Sequence, residues 1–208
     1  MPLEYLKKVL DAFCDQQIGI QTGGEFRPRD SSLHLDATKT TSLSYPLISR
    51  YVRLLEPKPD DVVYDVGCGT GRALCFFARQ KVAKCIGIEL DASVADIAKD
   101  NVAALKGRQS PVEIVVADAA LADYSLGTVF WIYNPFGHNT LSDVLERIHT
   151  GMSANPRVVR FCYIQPERNM GPFSTSPWLI KYRTVEPLLY RSGRASFWKS
   201  TKLTANPL

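Results

Sequence analysis

Between Asp65 and Gly71 the chain reads Asp-Val-Gly-Cys-Gly-Thr-Gly, an acid followed by glycines at 67, 69 and 71. Glycines so spaced let a backbone turn tightly and approach a ligand where a Cβ would collide. A tight strand-to-helix turn needs glycines for itself as well, so the context has to decide. Here the loop falls between a β-branched run, VVYDV (62–66), and RALCFFARQ (72–80), a stretch apolar on most sides. Two more acids end strand-like runs. Glu89 stands 18 residues beyond Gly71 near the end of KCIGIEL (84–90), and Asp118 closes VEIVVAD (112–118), with Ala119 beside it. A carboxylate at the first position can accept from both hydroxyls of a ribose. Open α/β sheets bind ligands at the carboxyl ends of their strands, so three acids placed there argue for one site.

The dinucleotide fingerprint G-x-G-x-x-G needs a third glycine at position 72, where this chain has Arg72. The pattern D-x-G-x-G-x-G instead resembles motif I of the seven-strand S-adenosylmethionine methyltransferases, and the resemblance runs over roughly residues 60–165. It implies a loop at Gly67, Gly69 and Gly71 lying against the methionine and ribose of the cofactor. It further implies that Asp65 holds the methionyl end, Glu89 the ribose, and Asp118 the adenine amino group, with Ala119 backbone meeting the ring.

At the end of the next strand-like run lies Trp-Ile-Tyr-Asn-Pro-Phe-Gly-His (131–138). It resembles the Asn-Pro-Pro-Tyr or Asn-Pro-Pro-Phe motif of amino-group methyltransferases, with one proline and its aromatic a position early. The resemblance implies that Asn134, Pro135 and Phe136 are catalytic and that Asn134 also borders the cofactor. The Asn134 side-chain carbonyl and the backbone carbonyl before or at Pro135 can accept from an amine and aim its lone pair, with Tyr133 and Phe136 stacking on it. The same residues could form only a turn, and His138 beyond them is either a general base or a surface residue.

Gly19-Ile-Gln-Thr-Gly-Gly24 resembles the N-terminal part of a bacterial methyltransferase group with G-I-x-T-G-G and Asn-Pro-Phe motifs, and more faintly the seven-strand lysine methyltransferases. That implies a segment folding over the cofactor, with Thr41 and Tyr45 as its contacts unless they merely start a helix. Residues 1–56 are expected to form this helical extension and 57–208 the cofactor-binding domain.

The elements that must position these groups follow from periodicity. Runs at 62–66, 84–90, 112–118, 128–134 and 157–166 alternate with helical stretches, the signal for βαβ units and a parallel sheet. Asp91 is placed to cap a helix carrying Val94, Ile97, Ala98, Val102 and Leu105. Leu141, Val144, Leu145 and Ile148 mark another, closed by Gly151. The tail supplies an antiparallel pair, 181–190 and 195–201, turning at Ser192-Gly193, and helices are expected at 3–14 and 45–55. The fold class is therefore α/β, a doubly wound, mostly parallel sheet of the Rossmann-like methyltransferase kind, with seven strands implied by the resemblance.

At 208 residues the chain suits a single core. No apolar run approaches the length of a membrane span, and the N-terminus lacks the apolar stretch of a signal peptide, so a cytoplasmic protein without a membrane partner is expected. Five scattered cysteines form no CxxC pair; no metal is expected and most should be apolar fillers. Charge is uneven: residues 1–150 hold sixteen Lys/Arg against nineteen Asp/Glu, and residues 151–208 hold nine against two. That basic quarter is either a solvated surface or a platform for an acidic partner. The expectation is S-adenosylmethionine-dependent N-methylation of an amine, on a small molecule or a protein side chain. O-methylation of a small molecule and a non-catalytic nucleic-acid-binding module with a vestigial cofactor site remain the alternatives.

Overall fold

The computed structural model describes residues 3–24, 41–164, 170–186 and 193–201. Two helices, α1 (Leu3–Ile18) and α2 (Tyr45–Leu55), precede an alternating series. The series runs β1 (Val62–Val66), α3 (Arg72–Ala78), β2 (Lys84–Glu89), α4 (Ala92–Ala104), β3 (Val112–Val116), β4 (Val129–Tyr133), α5 (His138–Ala154) and β5 (Arg160–Ile164). A short α6 (Gly171–Thr175) then leads to β6 (Leu179–Val185) and β7 (Ala195–Ser200).

The strands form one seven-stranded sheet in the order β3-β2-β1-β4-β5-β7-β6. All pairs from β3 to β5 are parallel, while β7 lies antiparallel between β5 and β6. The α/β architecture expected from the sequence is the one observed. After β3 the chain returns past β2 and β1 to lay β4 on the other side of β1. The strand order therefore reverses between β1 and β4, and a crevice at such a point is where doubly wound sheets bind ligands.

Alternation along the strands divides the core in two. Val63, Val129, Trp131, Cys162 and Phe197 face α2 and α3 on one side. Tyr64, Phe130, Ile132, Phe161 and Tyr163 face α5 and α6 on the other. Asp91 caps α4 as expected, its Oδ1 accepting from the amides of Ser93 (2.8 Å) and Val94 (3.3 Å). Four of the five cysteines, Cys68, Cys75, Cys85 and Cys162, are buried as free thiols.

Several boundaries differ from those read from periodicity. Helix α1 continues to Ile18, where the Ile20 amide closes on the Asp15 carbonyl. Gly151 does not end α5; it lies inside the last turn, its carbonyl accepting from the Asn155 amide and the Arg157 guanidinium. Strand β3 stops at Val116, so Asp118 stands two residues beyond it in a turn, with Oδ1 accepting from the Ala120 amide at 2.9 Å. The last antiparallel pair begins two residues early, at Leu179. Residues 187–190 and Ser192 of the expected pair and turn, and Gln165 and Pro166 of the expected strand, lie outside the described residues. Helix α6 had no signal in the sequence.

The basic quarter supplies two internal ties. Arg157 donates to the carbonyls of Tyr124, Gly127, Gly151 and Asn155. Arg160 donates to the carbonyls of Leu55 and Glu56 and pairs with Asp61.

Candidate active site

Strand β1 delivers Asp65 to the reversal point, and the glycine loop begins two residues later, at Gly67. The amides of Gly67 and Cys68 both donate to the Ile88 carbonyl at 2.9 Å, which draws the loop onto the end of β2. Gly67, Gly69 and Gly71 take φ values of 76°, 55° and 86°, a left-handed region costly for residues bearing a Cβ. Glu89 completes the cradle: Oε2 accepts from the Gly69 amide at 2.8 Å and Oε1 from the Asp91 amide at 3.0 Å. The sequence-predicted Asp65, glycine loop and Glu89 are thus assembled at one edge of the sheet. Asp118 is half-buried in its turn after β3, and the Ala119 carbonyl beside it accepts from the Tyr124 hydroxyl at 2.8 Å.

The two carboxylates at the loop are buried. Burial pushes Asp65 up to about 7, with the Leu74 amide opposing and neighbouring Glu89 adding to the rise. Glu89 is also raised by burial, against amide hydrogen bonds from Asp91, Gly69 and Leu90. Desolvated acids of this kind favour a ligand that brings positive charge.

The Asn-Pro-Phe-Gly segment meets the loop directly. A Cβ on Gly67 would lie 2.4 Å from the Cβ of Pro135, so only glycine permits this contact. Asn134 adopts φ 41°, one of two non-glycine residues with positive φ among those described; asparagine tolerates that conformation better than most side chains. Tyr133, Asn134 and Pro135 are half-buried, whereas Phe136 is packed into the apolar layer under α5. His138 is exposed at the start of α5. Gly67→Ala is expected to cost about 1–3 kcal/mol, since the backbone or Pro135 must shift. A thermal melt checks this, and an unchanged midpoint would mean that the loop and the proline segment do not press together.

The N-terminal segment reaches the same loop from behind. Asn101 of α4 binds both backbone groups of Gln21 (2.8 and 3.0 Å) and donates to the Thr70 carbonyl at 2.9 Å. Thr41 hydrogen-bonds Tyr133 through its side chain. Tyr45, expected at the cofactor, is drawn into a buried network in which its amide donates to Asp11 (3.0 Å) and its hydroxyl to Asp15 (2.5 Å). Sequence reasoning missed Asp11, Asp15 and Asn101. Lys7 precedes Asp11 by one helical turn, and such a spacing reads as a solvent-facing pair.

Residues 63–153 match the family model described as a methyltransferase domain. This segment is a methyltransferase domain. Its fold is the Rossmann-like one of solved methyltransferase structures. The chain is 25% identical over 167 residues, 74% of its length, to the histone-lysine N-methyltransferase, H3 lysine-79 specific, of Dictyostelium discoideum, and spans 9% of that protein. It is 29% identical over 94 residues to a protein-lysine N-methyltransferase of Saccharolobus islandicus (strain REY15A), covering 42% of this chain and 56% of that one. The chain thus spans about half the length of the second relative and far less of the first. Among solved structures, an RNA methyltransferase from Salinibacter ruber in complex with S-adenosyl-L-homocysteine shares the fold at a TM-score of 0.55 and 23% identity, covering 80% of this chain and 97% of that one. TrmN from Thermus thermophilus shares it at 0.59 and 16% identity, covering 77% of this chain and 50% of that one. Among the described residues, no helix is long and apolar enough to cross a membrane, and no cluster of His, Cys, Asp or Glu could hold a metal ion.

Proposed function

We propose that the chain transfers a methyl group from S-adenosylmethionine to the nitrogen of an amine. The observation carrying this reading is the junction of Pro135 with Gly67, which sets Asn134, in its left-handed conformation, beside the glycine loop. The residues fit the cofactor: the positive φ values of Gly67, Gly69 and Gly71 shape a tight loop at the strand end, Glu89 offers carboxylate oxygens to a ribose, and buried Asp65 suits the methionyl ammonium. Asp118 and the backbone at Ala119 are assigned the adenine. When bound, the cofactor supplies an electrophilic methyl group on a sulfonium.

The chain's own residues then do three things. Asn134 accepts an N–H of the incoming amine through its side-chain oxygen, which directs the nitrogen lone pair. Pro135 holds that residue against the loop, and Tyr133 offers a π face to the positive charge that develops on the nitrogen as the methyl is transferred. Burial of Asp65 and Glu89 limits water beside the glycine loop. The two relatives named as lysine N-methyltransferases favour a lysine side chain as the amine.

Labelled-methyl transfer to small amines and to lysine-bearing proteins tests the proposal. An N-methylated product supports it. Base-labile methyl ester or methyl ether products, or tight cofactor binding without transfer to any nitrogen, would sink it.

The raised Asp65 gives a pH prediction. A carboxyl whose folded value lies above its ordinary 3.8 contributes stability below that value and loses it as pH rises through about 7. The ligand-free protein should therefore melt lower at pH 8 than at pH 6. Because the proposed ammonium contact needs the carboxylate, the stabilisation by S-adenosylhomocysteine should grow over the same interval and flatten in Asp65→Asn. Melts with and without ligand check both arms, and a ligand shift indifferent to pH would remove Asp65 from the contact.

A further inference from the structure

Arg72 stands immediately after Gly71 and opens α3, yet its side chain is buried and points away from solvent into the N-terminal segment. Its Nε donates to the Thr22 hydroxyl at 2.6 Å. Nη1 donates to Asp11 Oδ2 at 3.1 Å and to the Leu43 carbonyl at 3.3 Å, and Nη2 to Asp15 Oδ2 at 3.4 Å. The guanidinium also lies over the Tyr45 ring, 5.2 Å from its centroid.

The two acids pass this grip onward. Asp15 accepts from the amide and hydroxyl of Thr22 and from the Tyr45 hydroxyl, and Asp11 accepts from the Tyr45 amide. One side chain therefore ties α1, Thr22, Leu43 and Tyr45 to the first residue after the glycine loop. Two neighbouring contacts place these stretches on both sides of that loop: the Thr70 hydroxyl donates to the Thr22 carbonyl at 3.3 Å, and Thr41 bonds Tyr133 just before Asn134.

We propose that Arg72 is a positioning residue: it clamps residues 19–24 and 41–45 around the glycine loop and so sets how long bound cofactor is retained. It rests on the reading of that loop as the cofactor site. Arg72 touches neither cofactor nor acceptor; it acts through Thr22, Asp11 and Asp15. The cluster holds two carboxylates for one guanidinium, and burial already raises Asp11. Removing the guanidinium takes away the cation shared by the two buried acids, leaving Lys7 acting on Asp11, so the clamped stretches should open before the sheet does.

The test uses the whole chain as wild type, Arg72→Met and Thr22→Val. Thr22→Val keeps the side-chain shape while deleting the hydroxyl shared by Arg72 and Asp15, and it carries the test if Arg72→Met does not fold. Hydrogen exchange is followed on the ligand-free protein, and dissociation of S-adenosylhomocysteine by stopped flow. Amides in 19–24 and 41–47 are expected to exchange at least about tenfold faster in the variants, up to about a hundredfold in Arg72→Met, with β1 and β4 unchanged. Dissociation should accelerate by about tenfold or more. Unchanged exchange in those stretches overturns the clamp, and equal acceleration across β1 and β4 reduces Arg72 to general stability. A wild type that does not bind S-adenosylhomocysteine sinks the cofactor reading itself, whereas wild-type binding with unaltered dissociation in both variants sinks only the role of Arg72.

Discussion

Asn134→Ala is expected to slow single-turnover methyl transfer by about 2.7–4 kcal/mol, a hundred- to a thousandfold, while leaving cofactor affinity nearly unchanged. The large effect follows from the task assigned to Asn134. An oriented acceptor in a site with little water has no substitute for a lost hydrogen bond. The backbone adds a second term, because alanine tolerates φ 41° less well than asparagine. Asn134→Gly separates the two, relieving the strain while still lacking the amide. If Gly and Ala variants are equally slow with unchanged melts, the side chain acts on the acceptor. If glycine restores the rate, Asn134 is needed only for its turn, and the amine must be held elsewhere.

Glu89→Ala is expected to weaken S-adenosylhomocysteine binding by about 1.5–3 kcal/mol, the range for hydrogen bonds to a charged group. The same change also removes the acceptor for the buried amides of Gly69 and Asp91, which should lower stability by about 1–3 kcal/mol for an amide left unsatisfied. Affinity and stability therefore fall together in alanine. Glu89→Gln distinguishes the two contributions: its carbonyl oxygen keeps one acceptor, so stability should partly recover while affinity stays reduced. Calorimetry beside a thermal melt reads both. Unchanged affinity in Glu89→Ala would place the ribose away from β2.

The sheet was legible because its signals are local. The β-branched runs at 62–66, 84–90 and 128–134 each carry enough apolar side chains to demand burial on both faces, and the glycines between β1 and α3 announce a turn that bulkier residues disfavour. The Asp91 cap and the start of α2 at Tyr45 were equally visible, since capping groups and prolines act within a few residues of themselves. Boundaries were less so. Whether Gly151 ends a helix depends on Arg157 arriving six residues later at its carbonyl, and no periodicity reports that.

What the sequence by itself determined is the order of elements and the presence of three acids and a glycine loop beside strand ends, because both follow from short-range chemistry. The tertiary structure decided which distant groups meet. It laid Pro135 on Gly67, 68 residues away in sequence, and it turned α1 so that Asp11 and Asp15 face inward while Tyr5, Leu6, Val9, Leu10 and Phe13 remain exposed. An amphipathic pattern predicts the opposite orientation, since apolar faces ordinarily seek the core. That preference gives way here because a guanidinium already buried behind the glycine loop needs anionic partners, and a lone buried cation costs more than an exposed apolar stripe.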